Sequence, residues 1–213
     1  MVTIILDNAH GIDTPGKRSP WSVCKTKPEL DFYEWKYNRE LVQKLVVPLS
    51  EAGFEVMQLV SEDEDITLAE RVRRINAKVK DNQQRGYKTL MISLHNNAAG
   101  NGKEWKSARG WSAFTTRGQN NSDKLADALY EAAEEILKPI GQKIRYDKSD
   151  GDADWEANFY IIKGANCPSV LIEQMFQDNI EDVKWLLSEE GKKALVDIVK
   201  KGSTIFVEKM KWK

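Results

Sequence analysis

Apolar positions recur along the chain in two alternating rhythms. Short continuous runs at residues 2–7, 54–60, 88–94, 110–115, 158–162 and 169–173 predict strands. Longer stretches with helical spacing predict helices over 34–50, 66–85, 121–138 and 190–207, with a shorter one near 180–187. In the first helix Leu41, Val42, Leu45, Val46 and Leu49 share one stripe, Pro48 is expected to kink or fray the last turn, and Gly53 ends the segment. Strands alternating with helices predict an α/β fold. It is expected as a three-layer single domain over residues 1–213, with a mainly parallel twisted sheet of about six strands and helices on both faces. Two connections are long enough to carry function, residues 8–33 and 141–157.

Composition narrows the partners. Of 213 residues 41% are hydrophobic and 31% charged, as in an ordinary globular domain. The 32 Lys and Arg nearly balance 33 Asp and Glu, without a long run of one sign, which argues against a nucleic-acid partner. No apolar stretch approaches the roughly 20 residues of a membrane span, so no membrane insertion is expected. The first residues enter a strand directly, without the features of a signal peptide, and a chain of this form is expected to remain cytoplasmic as synthesised. Cys24 and Cys167 are far apart and are expected to be ordinary reduced thiols.

Several chemistries fail on spacing. With His10 and His95 as the only histidines, neither HExxH nor a three-histidine site exists. Gly110-Trp111-Ser112-Ala113-Phe114 lacks the second glycine of a nucleophile elbow, and no phosphate-binding GxxxxGK[ST] loop occurs. Asp150-Gly151-Asp152-Ala153-Asp154 begins like a calcium loop, but Trp155 and Ile161 stand where Gly and Glu are needed, so a solvated acidic loop is expected.

One constellation survives. Ligands of open α/β sheets bind beyond the carboxyl ends of the strands. His10 follows the first strand, His95 ends the run Leu90-Met91-Ile92-Ser93-Leu94, and Glu173 ends Ser169-Val170-Leu171-Ile172. A carboxylate in such a run needs a partner. Two imidazoles and a carboxylate at one sheet edge suit zinc, which needs a third protein ligand and an open position. Spacing alone leaves that third ligand undecided.

These segments resemble the zinc-dependent N-acetylmuramoyl-L-alanine amidases of the amidase-3 type. Leu6-Asp7-Asn8-Ala9-His10-Gly11 is similar to that family's Asp-Pro-Gly-His-Gly-Gly, and Ile92-Ser93-Leu94-His95-Asn96-Asn97-Ala98 to its Ser-x-His-x-Asn-Ala. Pro168-Ser169-Val170-Leu171-Ile172-Glu173, with Phe176, Asn179 and Asp182, resembles its last strand and turn. Glu34 with Asn38, and Ile66 to Val72 with Asn76, resemble the starts of its first two helices, so the likeness runs from residue 2 to about 206. It leaves no room for a separate wall-binding domain. The Thr-Arg pair after the second strand is replaced by Val60-Ser61, and the turn at the first ligand is altered to Asn8-Ala9.

The resemblance implies that His10, Glu34 and His95 bind one Zn2+ and that Glu173 is the catalytic carboxylate, with Glu29 and Glu40 as alternatives for Glu34. It implies a peptidoglycan hydrolase that cleaves the amide between the lactyl group of N-acetylmuramic acid and L-alanine. A zinc peptidase acting on stem peptides, or a non-catalytic peptidoglycan-binding protein, is the alternative. Asn97 is expected to contact substrate or to stabilise its turn, and Trp21, Trp35, Trp105, Trp111 and Trp155 to stack on sugar or to fill the core. A phage or prophage endolysin, or a secreted enzyme whose leader has been removed, fits a chain without an export signal.

Overall fold

The computed structural model describes residues 1–21, 25–149 and 151–212. Strands β1 (Val2–Asn8), β2 (Glu55–Gln58), β3 (Lys88–Asn97), β4 (Ser112–Thr115), β5 (Trp155–Glu156) and β6 (Ser169–Phe176) form one sheet in the order β2-β1-β3-β6-β4-β5. Four neighbouring pairs run parallel, and β4 lies antiparallel to β6. Helices α1 (Glu34–Glu51), α2 (Leu68–Gln84), α3 (Asn121–Leu137), α4 (Tyr160–Gly164), α5 (Ile180–Leu187) and α6 (Glu189–Lys209) cover it.

The apolar runs are continuous because β1, β3 and β6 are buried on both faces. Alternate side chains divide between two cores. Ile4, Leu6, Leu90, Ile92, Leu94, Val170 and Ile172 pack with Leu41 and Leu45 of α1, Leu125 and Leu129 of α3, and Leu195 and Phe206 of α6. Ile5, Met91 and Leu171 pack on the opposite face with Ile75 and Val79 of α2 and with Ile161 and Ile162 of α4. The expected three layers are present, and no helix among the described residues is long and apolar enough to cross a membrane.

Helix ends follow local chemistry. Thr67 Oγ1 accepts the Glu70 amide at the start of α2, and Asn120 with Asp123 completes a reciprocal capping box on α3. Pro48 does not end α1, which continues to Glu51. The carbonyl deprived of its helical donor belongs to Lys44, an exposed residue. Gly53 then turns the chain at φ 90°.

Two expectations fail. The segment 158–162 is not a strand: it carries α4, and the edge strand is the two-residue β5 before it. Four consecutive apolar side chains define no period, and tertiary contact decides. Gly164 sits where a Cβ would lie 2.9 Å from Val72, and the Asn76 amide donates to its carbonyl at 2.8 Å, which seats α4 against α2. The acidic loop before β5 is not solvated either, since Asp154 is 1% exposed and Asp152 half-buried. Asp150 lies outside the described residues, as does Cys24. Cys167 is a free thiol, and burial pushes its pKa up to about 12, as an unreactive thiol requires. Trp111 is fully buried and edge-on to Tyr130, a core residue.

Candidate metal centre

Parallel strands β1 and β3 deliver the two histidines to one edge of the sheet. His95 lies near the end of β3, and His10 two residues beyond β1. His10 adopts φ 59°, a left-handed conformation that a non-glycine residue holds only under tertiary constraint. The constraint is visible. Its carbonyl accepts from Arg39 Nη1 at 3.1 Å and from Arg71 Nη2 at 3.3 Å. At Gly11 a Cβ would lie 2.0 Å from the Asp65 amide nitrogen, so this turn excludes any side chain there. The two departures from the family motif meet each other, as Asn8 Nδ2 donates to the Val60 carbonyl at 3.0 Å and ties the end of β1 to the segment after β2.

Glu34 is the first residue of α1 and is fully buried. Its Oε1 lies 3.4 Å from His10 Nε2 and 3.2 Å from His95 Nδ1, and it accepts the Asn96 amide at 2.9 Å. The imidazole rings stand 4.9 Å apart and nearly perpendicular. Ligand atoms of His10, Glu34 and His95 all lie within 4.8 Å of one another. Glu34 Oε2 and His10 Nε2 are buried with no hydrogen-bond partner. Burial raises the Glu34 pKa, but the two imidazoles outweigh it and hold the carboxyl well below the ordinary range. Burial depresses His95, and the Glu34 carboxylate more than restores it, leaving the pKa raised. The other two acidic candidates are elsewhere: Glu29 is exposed, and Glu40 pairs with Lys192 at 2.8 Å.

Glu173 is the register partner of His95 across β3 and β6. Its Oε2 is buried without a partner. Burial pushes its pKa up to about 7, with His95 opposing and Glu34 reinforcing the rise. A cleft of about 290 Å³ opens over the histidines, walled by Thr14, Ile66, Thr67 and Leu68. Asn97 follows a bulge in β3, and its Oδ1 accepts the Ala98 amide at 2.8 Å.

Two supporting networks escaped sequence reasoning. Asp7 Oδ1 meets Arg71 Nη1 at 2.5 Å and its Oδ2 accepts the Ser93 hydroxyl at 2.5 Å, both beneath the histidines. Beneath Glu34, Asn38 Nδ2 donates to Asn96 Oδ1 (3.2 Å), Asn96 Nδ2 to the Gln174 carbonyl (2.6 Å) and Gln174 Nε2 to Asn38 Oδ1 (3.0 Å). The sequence carries a signal for the first: Arg71 is a charged residue in helical register with buried Ile75 and Val79.

Residues 4–204 match the sequence profile of a family described as N-acetylmuramoyl-L-alanine amidase. The chain belongs to that family. Its members are peptidoglycan hydrolases, and this chain is an N-acetylmuramoyl-L-alanine amidase domain by fold and by sequence. Solved structures agree on the fold. An N-acetylmuramoyl-L-alanine amidase from Clostridium difficile 630 superposes with TM-score 0.77 at 22% identity, covering 97% of this chain and 96% of that one. The catalytic domain of CwlV from Bacillus (Paenibacillus) polymyxa var. colistinus gives 0.74 at 19% identity over 100% of both chains. AmiC2 of Nostoc punctiforme gives 0.74 at 16%, covering 97% of each. Comparison with curated protein sequences finds no match.

Proposed function

We propose that this amidase is zinc-dependent, that His10, Glu34 and His95 hold one zinc ion, and that Glu173 is its catalytic carboxylate. The observation that carries the proposal is the buried Glu34 carboxylate, with one oxygen unpartnered and two imidazole nitrogens within 3.4 Å of the other. Two nitrogens and one carboxylate oxygen would suit a catalytic zinc ion, which takes three protein ligands, and both histidines border the cleft. When bound, the ion supplies a Lewis acid for the scissile carbonyl and lowers the pKa of water from 15.7 towards about 7.

The rest of the reaction belongs to the protein. The bond is the amide between the lactyl group of N-acetylmuramic acid and L-alanine of the stem peptide. Glu173 takes the proton of the attacking water at its unpartnered Oε2 and returns it to the alanine nitrogen, so that the amine leaves neutral. A carboxyl group with a pKa near 7 is suited to both halves of that transfer at neutral pH. Asn97 has its Oδ1 engaged by the turn and offers its amide hydrogens to a substrate carbonyl. Arg39 and Arg71 hold the His10 backbone in its strained conformation.

Digestion of purified peptidoglycan by zinc-loaded and metal-stripped protein tests the reading. Mass spectrometry should find stem peptides with a free L-alanine amine and intact glycan with free lactyl carboxylates, in the loaded reaction alone. Products cut within the stem peptide, or equal turnover after stripping, would overturn it.

A further inference from the structure

A second cluster, wholly acidic, lies towards the opposite edge of the sheet from His10, which follows β1. Asp123 is the third residue of α3, and Asp152 and Asp154 come from the loop that leads into β5. Carboxylate oxygens of the three lie within 4.8 Å of one another. One oxygen of each is served by a neutral donor. Asp123 Oδ2 accepts the Asn120 amide, Asp152 Oδ2 accepts Gln119 Nε2 at 2.6 Å, and Asp154 Oδ2 accepts the Thr115 hydroxyl at 2.6 Å.

The second oxygens are poorly served. Asp152 Oδ1 and Asp154 Oδ1 are buried without a partner, and Asp154 is 1% exposed. Asp123 Oδ1 lies 3.2 Å from the Thr115 hydroxyl, whose single proton it shares with Asp154 Oδ2 at the shorter distance of 2.6 Å. Two carboxylate oxygens therefore lack donors, and a third shares one hydroxyl with Asp154. The charges that bear on Asp154 come from Asp152 and Asp123, and both add to its burden. Lys209, which faces Asp127 beside the cluster, is paired with Glu131 at 2.7 Å. Unpaired buried carboxylates cost several kcal/mol each unless a cation or a proton neutralises them.

We propose that Asp123, Asp152 and Asp154 bind a calcium ion. An all-oxygen, carboxylate-rich donor set suits a hard cation, and the lack of nitrogen or sulfur ligands disfavours zinc. Calcium takes six to eight oxygens at variable geometry, so three aspartates and water satisfy it where magnesium would demand a regular octahedron. The ion would fasten the loop before β5 to the start of α3. That loop leads to Trp155, whose ring lies 4.9 Å beneath the Arg145 guanidinium, and the same guanidinium lies 5.0 Å over Phe176, three residues past Glu173. The cation would thus steady the segment that carries Trp155 without touching the reacting groups.

Calorimetric titration of calcium into the full chain, with one equivalent of zinc present to fill the histidine centre, tests the proposal. One calcium per chain is expected, with an apparent Kd of about 10⁻⁵ to 10⁻³ M. At a hundredfold excess over Kd the melting temperature should rise by about 5 to 10 °C. Asp154→Asn and Asp152→Asn should each weaken binding at least tenfold, and in calcium-free buffer Asp154→Asn should be no less stable than the parent. Terbium bound at the same place should show luminescence excited through Trp155. Absence of binding in the parent chain, or a calcium response that survives both substitutions, would overturn it. Should Asp154→Asn fail to fold, the half-buried Asp152→Asn decides alone.

Discussion

Arg71 of α2 closes on Asp7 of β1 at 2.5 Å with both side chains almost completely buried, and its other nitrogen reaches the carbonyl of His10. One guanidinium thereby joins a helix, a strand and a candidate metal ligand. Breaking a buried ion pair from one side leaves the other charge stranded, at about 3 to 5 kcal/mol. Arg71→Met should lose about that much stability in urea unfolding. The double variant with Asp7→Asn should lose less than the sum of the two single changes, because the stranded charge is removed.

Glu173→Gln separates proton transfer from metal binding. The carboxamide keeps the shape of the side chain but cannot accept and return a proton, and a positioned acid–base group contributes about 10² to 10⁴ in rate. Turnover on purified peptidoglycan should fall by that factor while zinc content, measured by plasma mass spectrometry, stays at one per chain. Loss of both together would assign Glu173 to the metal instead.

Asn38→Ala should act on the metal from a distance. It leaves Asn96 Oδ1 and Gln174 Nε2 unpaired beneath the amide that Asn96 donates to Glu34. Disturbing groups that orient a ligand typically costs 10- to 100-fold in metal affinity. Competition against a chelator should show a loss within about that range, with a stability cost of about 1 to 3 kcal/mol for the unmade bonds.

The pKa of Asp154 is pushed up to about 7, first by burial and with Asp152 and Asp123 adding to the rise. The folded chain therefore holds a proton there that the unfolded chain releases near 3.8. Stability from this group is fully present below about 4 and is lost as pH rises towards 7. In calcium-free buffer the melting temperature of the parent should fall relative to that of Asp154→Asn across this window and run parallel above it. A constant difference from pH 4 to 8 would refute the assignment.

Reading the fold from residues alone succeeded where burial is complete. β1, β3 and β6 are apolar runs covered on both faces, and His10, His95 and Glu173 are conspicuous as polar endings to such runs. Glu34 is different. An acidic residue at a helix start has an ordinary explanation in the helix dipole, so nothing local marks it as a ligand until the family motif is considered. Phe159 to Ile162 misled because four apolar residues fit a buried strand and a helical turn equally. The loop of Asp152 and Asp154 misled because aspartates are exposed by default, and only the fold brings Asp123 against them from a segment some thirty residues away in sequence.

His95 and Glu173 are register partners on hydrogen-bonded strands at the middle of the sheet. Their backbones are therefore about 4.8 Å apart whatever the surrounding loops do. Substitutions, insertions or motions in the connections that wall the cleft can change which muropeptide is admitted, yet they cannot pull the proposed proton carrier away from the proposed ligand beside it. Specificity in this scaffold is free to drift while the reacting geometry stays locked in the β-ladder.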